Sequence, residues 1–115
     1  IEDMPLLKII SNTDIADKNA FIGKSSKEIA RILGKTEKYV MVIFTFNPNF
    51  IFSTSDEPAL YVELKSIGLP TEKTGEISRK IMDFLSSKTG VIQSRIFIEF
   101  TDVPPNFGGW NGGTM

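Results

Sequence analysis

The chain has 115 residues, 41% of them apolar and 23% charged, enough for one compact domain with a core of its own. Its formal charge of −1 leaves no electrostatic footprint for nucleic acid, and no apolar run reaches the roughly 18 residues that membrane insertion needs. It has neither cysteine nor histidine, which excludes disulfides, thiol nucleophiles, Ser–His dyads and zinc sites of the usual ligand types; acid–base chemistry near neutral pH falls to a carboxylate, a lysine, a tyrosine or a terminal amine.

The first element is a short strand from Pro5 to about Asn12, in the stretch Met4-Pro5-Leu6-Leu7-Lys8-Ile9-Ile10. Proline has no backbone N–H, so at the head of a strand it breaks no ladder bond. A second reading stays open: if Met4 were an initiator and were removed, Pro5 would carry a free secondary amine at the end of a rigid strand. Phe21, Ile22, Ile29, Ile32 and Leu33 share one face of a helix over about 17–33, and Gly34 stands where a left-handed residue stops it. Tyr39 to Phe46 is apolar on both faces and rich in β-formers, which predicts a strand covered on both sides. Asn47-Pro48-Asn49 is a turn signal, followed by a loose segment through Glu57-Pro58.

The second half repeats the plan. Leu60, Val62 and Leu64 alternate with Tyr61, Glu63 and Lys65 in a half-buried strand from Ala59 to Ile67. A helix follows from about Thr71 to Lys88 with Ile77, Ile81, Phe84 and Leu85 on one face, then Gly90 and a strand from Arg95 to Phe100. Gly34 and Gly90, Tyr39 and Arg95, Phe44 and Phe100 recur at one constant offset. The expected fold is therefore α/β: a duplicated βαβ-βαβ unit, giving a four-stranded mixed sheet with two helices on one face. The other face has nothing in the chain to cover it, so self-association is expected. The tail, Thr101 to Met115, holds Phe107 and Trp110, which are costly to leave in water and predict docking on a pocket or a neighbouring subunit.

Pro5 at the head of the first strand, Gly34-Lys35 before Tyr39-Val40-Met41, Ser55-Asp56-Glu57-Pro58, Lys65-Ser66-Ile67-Gly68, Arg95 to Phe100 and Gly109-Trp110-Asn111-Gly112 run in order along the chain. Together they resemble the macrophage migration inhibitory factor family, with D-dopachrome tautomerase, in the tautomerase superfamily. The resemblance implies a single domain over 5–115 and a homotrimer whose sheets line a central solvent channel. It further implies keto–enol tautomerase activity of the phenylpyruvate or dopachrome type, with an N-terminal proline as base and neither cofactor nor metal. Animal members are also cytokines, so the resemblance implies a cell-surface receptor as a partner, and a cytoplasmic protein or one secreted without a signal peptide.

Carried onto this chain, the family's catalytic proline is Pro5 and its substrate-carboxylate lysine is Lys35. The backbone of Ile67 is a substrate contact, and Tyr39, Phe107 and Trp110 form apolar walls for a small aromatic α-keto acid. Phe97 stands where the cytokine members have tyrosine, and Glu99 where they have asparagine, a carboxylate that would repel an anionic substrate unless Lys35 offsets it. Ala59-Leu60-Tyr61-Val62 replaces their Cys-x-x-Cys. Ile1-Glu2-Asp3-Met4 precedes Pro5, reading as a remnant of expression or a native extension, and with it in place Pro5 is an amide. A non-enzymatic, cytokine-like ligand on the same trimer is the competing class. An RNA-recognition domain of the same element order is disfavoured by the charge balance and by the single aromatic, Tyr61, on the strand from Ala59.

Overall fold

The computed structural model describes residues 3–114. The main elements are β1 (Leu6–Ser11), α1 (Lys18–Leu33), β2 (Met41–Phe46), β3 (Leu60–Ile67), α2 (Thr74–Thr89) and β4 (Ile96–Val103), followed by the two-residue strands β5 (Gly109–Trp110) and β6 (Gly113–Thr114). The four long strands form one mixed sheet in the order β2-β1-β3-β4; β1/β2 and β3/β4 are parallel, and β1/β3 is antiparallel. This is the expected βαβ-βαβ architecture, and the two helices, with the 3₁₀ turns after them, repeat at the offset seen in the residues. Each helix has 16 residues, and each is followed by a left-handed glycine, Gly34 (φ 66°) or Gly90 (φ 76°). Each glycine is then followed by a 3₁₀ turn, Glu37–Tyr39 or Gln93–Arg95, that leads into a parallel strand.

Period-2 alternation sends Leu7 and Ile9 of β1 and Leu60, Val62 and Leu64 of β3 to one face of the sheet, where they are buried with Phe21 and Ile29 of α1 and Ile77, Ile81 and Leu85 of α2. Both helices therefore lie on that face. Phe21 meets Phe44 of β2 edge-on at 5.7 Å, tying α1 to the edge strand. Asp17 caps α1 by accepting from the Ala20 N–H at 3.0 Å.

Several expectations are corrected. The strand read as Tyr39–Phe46 begins at Met41, because the Val40 N–H is spent on the Glu37 carbonyl and closes a 3₁₀ turn that contains Tyr39. Nor is β2 covered on both sides within one chain: it is an edge strand, with Met41 and Ile43 on its open face 53% and 40% exposed. Arg95 likewise precedes β4, which runs on to Val103 and absorbs the start of the supposed tail. Residues 71–73 form a 3₁₀ turn ahead of α2.

The segment through Glu57-Pro58 is not loose. The Arg95 guanidinium donates to the carbonyls of Phe52, Ser55, Glu57 and Pro58 at 2.9–3.1 Å. From the other side, the Asn12 amide donates to the Glu57 carbonyl at 2.9 Å and accepts from the Ala59 N–H at 2.8 Å. The tail docks in part: Trp110 packs on Tyr39, while Phe107 is 77% exposed within the chain.

Candidate active site at the head of the first strand

Pro5 lies fully buried just ahead of β1, and its carbonyl accepts from the Met41 N–H at 2.9 Å. That bond joins the head of β1 to the head of β2, where they run parallel. The backbone bends sharply at Met4, whose φ of 50° lies in the left-handed region, a conformation that costs a non-glycine residue about 1–2 kcal/mol. The bend carries Asp3 alongside the end of β3.

Lys35 is positioned by the way α1 stops. The Gly34 N–H bonds the Arg31 carbonyl at 3.3 Å and the Lys35 N–H reaches back to the Ala30 carbonyl at 2.9 Å, a Schellman corner that satisfies two helix-end carbonyls. The corner fixes the Lys35 backbone at the helix terminus, and its ammonium meets the Asp3 carboxylate at 2.5 Å, with the two side chains 34% and 27% exposed. The Asp3 backbone carbonyl accepts from the Ile67 N–H at 3.0 Å and from the Ser66 hydroxyl at 3.5 Å. Asp3, Leu33, Lys35, Ser66, Gly68, Leu69 and Pro70 line a recess of about 180 Å³. A second recess of about 130 Å³ lies against Met4, Ile67, Val103 and Gly109. The loop between them is held by the Leu69 N–H donating to the Asp102 carboxylate at 3.0 Å.

The structure therefore brings Lys35 and the Ile67 N–H together, both on Asp3, beside buried Pro5. Tyr39 and Trp110 form a separate pair, with ring centroids 5.8 Å apart and planes at 84°, one chain step before the Val40–Met41 entry to β2. Phe107, by contrast, exposes most of its side chain within the chain.

Phe97 and Glu99 are not part of this cluster. Both project from the open face of β4, where Phe97 stacks on Tyr61 at 6.3 Å and Glu99 lies in register with Glu63. Tyr61 is paired with Phe97 at the start of β3, and Ile67 lies at its end, so the separation along the strand is about 20 Å.

The Tyr61 hydroxyl bonds Glu99 at 2.7 Å and Glu63 at 2.9 Å. The phenol is pushed above its usual range, first by the bond to Glu99, then by desolvation and the bond to Glu63. Glu63 is held below the usual carboxylate range, chiefly by the bond from Tyr61, with Lys65 and Lys8 adding to it. Glu99 is thus a carboxylate already engaged by a donor.

Asp3 and Tyr61 are the participants that sequence reasoning missed. Tyr61 carried a readable signal, since Tyr61-x-Glu63 and Phe97-x-Glu99 are matching alternations on strands expected to be neighbours. Asp3 carried none. Among the described residues, no group of three His, Cys, Asp or Glu side chains could hold a metal ion, and no helix is long and apolar enough to cross a membrane.

The family model described as "Macrophage migration inhibitory factor (MIF)" matches residues 4–115. A macrophage migration inhibitory factor homolog of Trichinella spiralis is 30% identical over 114 residues, 97% of this chain and all of its own length. The macrophage migration inhibitory factor of Mus musculus is 25% identical over 114 residues, 97% of this chain and 99% of its own. Among solved structures, the homologue from Prochlorococcus marinus is similar with a TM-score of 0.88 and 39% identity, covering 95% of this chain and 97% of that one.

Proposed function

The chain belongs to the macrophage migration inhibitory factor family, and we propose that, with Pro5 as its first residue, it is a homotrimeric keto–enol tautomerase of small aromatic α-keto acids such as phenylpyruvate. The observation that carries this reading is the pair of contacts on Asp3. One carboxylate-binding cation, Lys35, and one backbone donor, the Ile67 N–H, converge beside the head of β1, where an amine on Pro5 would stand.

In this mechanism Lys35 holds the substrate carboxylate and the Ile67 N–H binds a second acceptor. The Pro5 nitrogen takes the proton α to the ketone, the C–H electron pair becomes the C=C bond, and the proton is returned to the ketone oxygen. Substrate and product differ only in where that proton sits. Burial and the Lys35 charge both disfavour the protonated amine, which brings its pKa towards the working pH, where a general base is most effective. Tyr39 and Trp110 supply an apolar wall for the ring.

Two further observations support the trimer. The open face of the sheet leaves Met41, Ile43 and Phe97 between 40% and 55% exposed. Phe97 and Glu99 lie too far along β4 to meet a ligand held by Lys35 of their own chain, so a neighbouring copy supplies them. Members of the family are typically oligomeric. A binding-only reading, a cytokine-like ligand for a cell-surface receptor on the same scaffold, is favoured by one fact: in the 115-residue chain the Pro5 nitrogen is in an amide.

The deciding experiment compares phenylpyruvate turnover by the 115-residue chain, its terminus verified by mass, with that of a chain beginning at Pro5. The Pro5 chain should be at least tenfold faster, about 1.4 kcal/mol of barrier, and Pro5→Gly in it should remove most of the gain. Equal rates would show that Pro5 is not the base.

A further inference from the structure

We propose that Asp3 is an internal surrogate for the substrate, so that the segment ahead of Pro5 closes the carboxylate subsite as well as blocking the amine. The proposal rests on the reading of Lys35 as the carboxylate anchor. Asp3 makes both contacts assigned to the ligand. Its carboxylate sits on the Lys35 ammonium at 2.5 Å, and its carbonyl oxygen takes the Ile67 N–H at 3.0 Å, with the Ser66 hydroxyl at 3.5 Å. The two acceptors belong to one residue, and Asp3 itself lines the recess that holds Lys35.

The left-handed bend at Met4 gives this arrangement its reach: an extended backbone there would continue along the line of β1 instead of turning Asp3 towards the corner at Lys35. A single hydrolysis then has two effects. When a protease adds water across the Met4–Pro5 peptide bond, the Met4 carbonyl carbon gains the hydroxyl and the Pro5 nitrogen gains the proton. The amine is created in the same event that detaches Asp3 from Lys35. The ligand that Asp3 mimics carries a carboxylate and a second oxygen acceptor, the pairing found in an oxo acid.

The test separates occupancy from catalysis by measuring binding of 4-hydroxycinnamate, an aromatic carboxylate with no ketone to enolise. Calorimetry or fluorescence titration would compare the 115-residue chain, its Asp3→Ala variant, the double variant Asp3→Ala with Lys35→Ala, and the chain beginning at Pro5, with thermal melts reporting that each is folded. Asp3→Ala keeps the backbone bond to Ile67 and removes only the carboxylate. It should bind at least tenfold more tightly than the unaltered chain, and the double variant should lose that gain. If the Pro5 chain binds well while Asp3→Ala binds no better than the unaltered chain, the surrogate is overturned and the carboxylate site stands. If the unaltered chain binds as tightly as the Pro5 chain, the surrogate is likewise overturned. If the Pro5 chain fails to bind, the role of Lys35 falls and the surrogate falls with it.

Discussion

Glu63 and Glu99 stand side by side in register on β3 and β4, and the hydroxyl of Tyr61 bonds both carboxylates. A single phenolic proton serves two anions on a face that would otherwise repel itself.

Tyr61→Phe should therefore lower stability at neutral pH by about 1 kcal/mol, the lower part of the range for hydrogen bonds to charged groups because these side chains are partly solvated. The sign of its pH dependence follows from Glu63, whose carboxyl is held below its ordinary 4.5 in the folded state, first by Tyr61. A depressed carboxylate stabilises fully above the unfolded value and loses that contribution as pH falls through the folded one. Thermal melts of the variant and the parent should thus converge on acidification from pH 7 to below 4. A gap that stays constant would mean that Tyr61 acts through packing on Phe97 alone.

Light scattering at micromolar concentration should give about three times 12.8 kDa. Ile43→Glu places a charge on the open face of edge strand β2, where the native side chain is 40% exposed in the single chain. It should shift the protein towards monomer with little change in helix content. A parent chain that runs as a clean monomer would remove both the trimer and the contribution of Phe97 and Glu99 to a neighbour's site.

Lys35→Ala in the chain beginning at Pro5 should raise KM for phenylpyruvate about tenfold or more, since a charge-assisted bond of this kind contributes roughly 1.5–3 kcal/mol. The melting temperature should hardly move, because the backbone of the Schellman corner, not the ammonium, ends α1. Unchanged kinetics would make Lys35 an ordinary charge near a helix C-terminus.

Arg95→Lys should release the segment from Phe52 to Pro58, because a point charge cannot reproduce a fork that reaches four carbonyls. Faster amide exchange at Ser55 and Glu57, with little change at Leu7 or Ile9, is the expected pattern. Uniformly unchanged exchange would assign the loop's order to Asn12.

The helices, the glycines that end them and the long strands were legible because each rests on local chemistry: an apolar face at 3.6-residue spacing, an alternation of period two, a residue suited to a left-handed corner. The offset between Gly34 and Gly90 also showed in the residues and reappears in the element boundaries. Tyr39 and Arg95 were misplaced by a turn because a 3₁₀ closure is decided by which N–H finds a carbonyl, and both residues suit a strand on propensity alone. The loop held by Arg95 read as loose since its partners are backbone carbonyls, which any residue supplies. The positions of Lys35 and Ile67 followed from family register, and their meeting on Asp3 did not, since it depends on the bend at Met4.

Shifted by the offset that relates the two helices, Lys35 falls on Val91, which follows its left-handed glycine as Lys35 follows Gly34 but is only 2% exposed. The pseudosymmetric recess, about 200 Å³ between Glu57, Gly90, Val91 and Arg95, therefore has a buried hydrocarbon side chain where the first has an ammonium. A base that must be a chain terminus can exist once per polypeptide, however many times the surrounding unit is copied. The repeated βαβ unit thus offers two strand heads, and only one of them can carry such an amine.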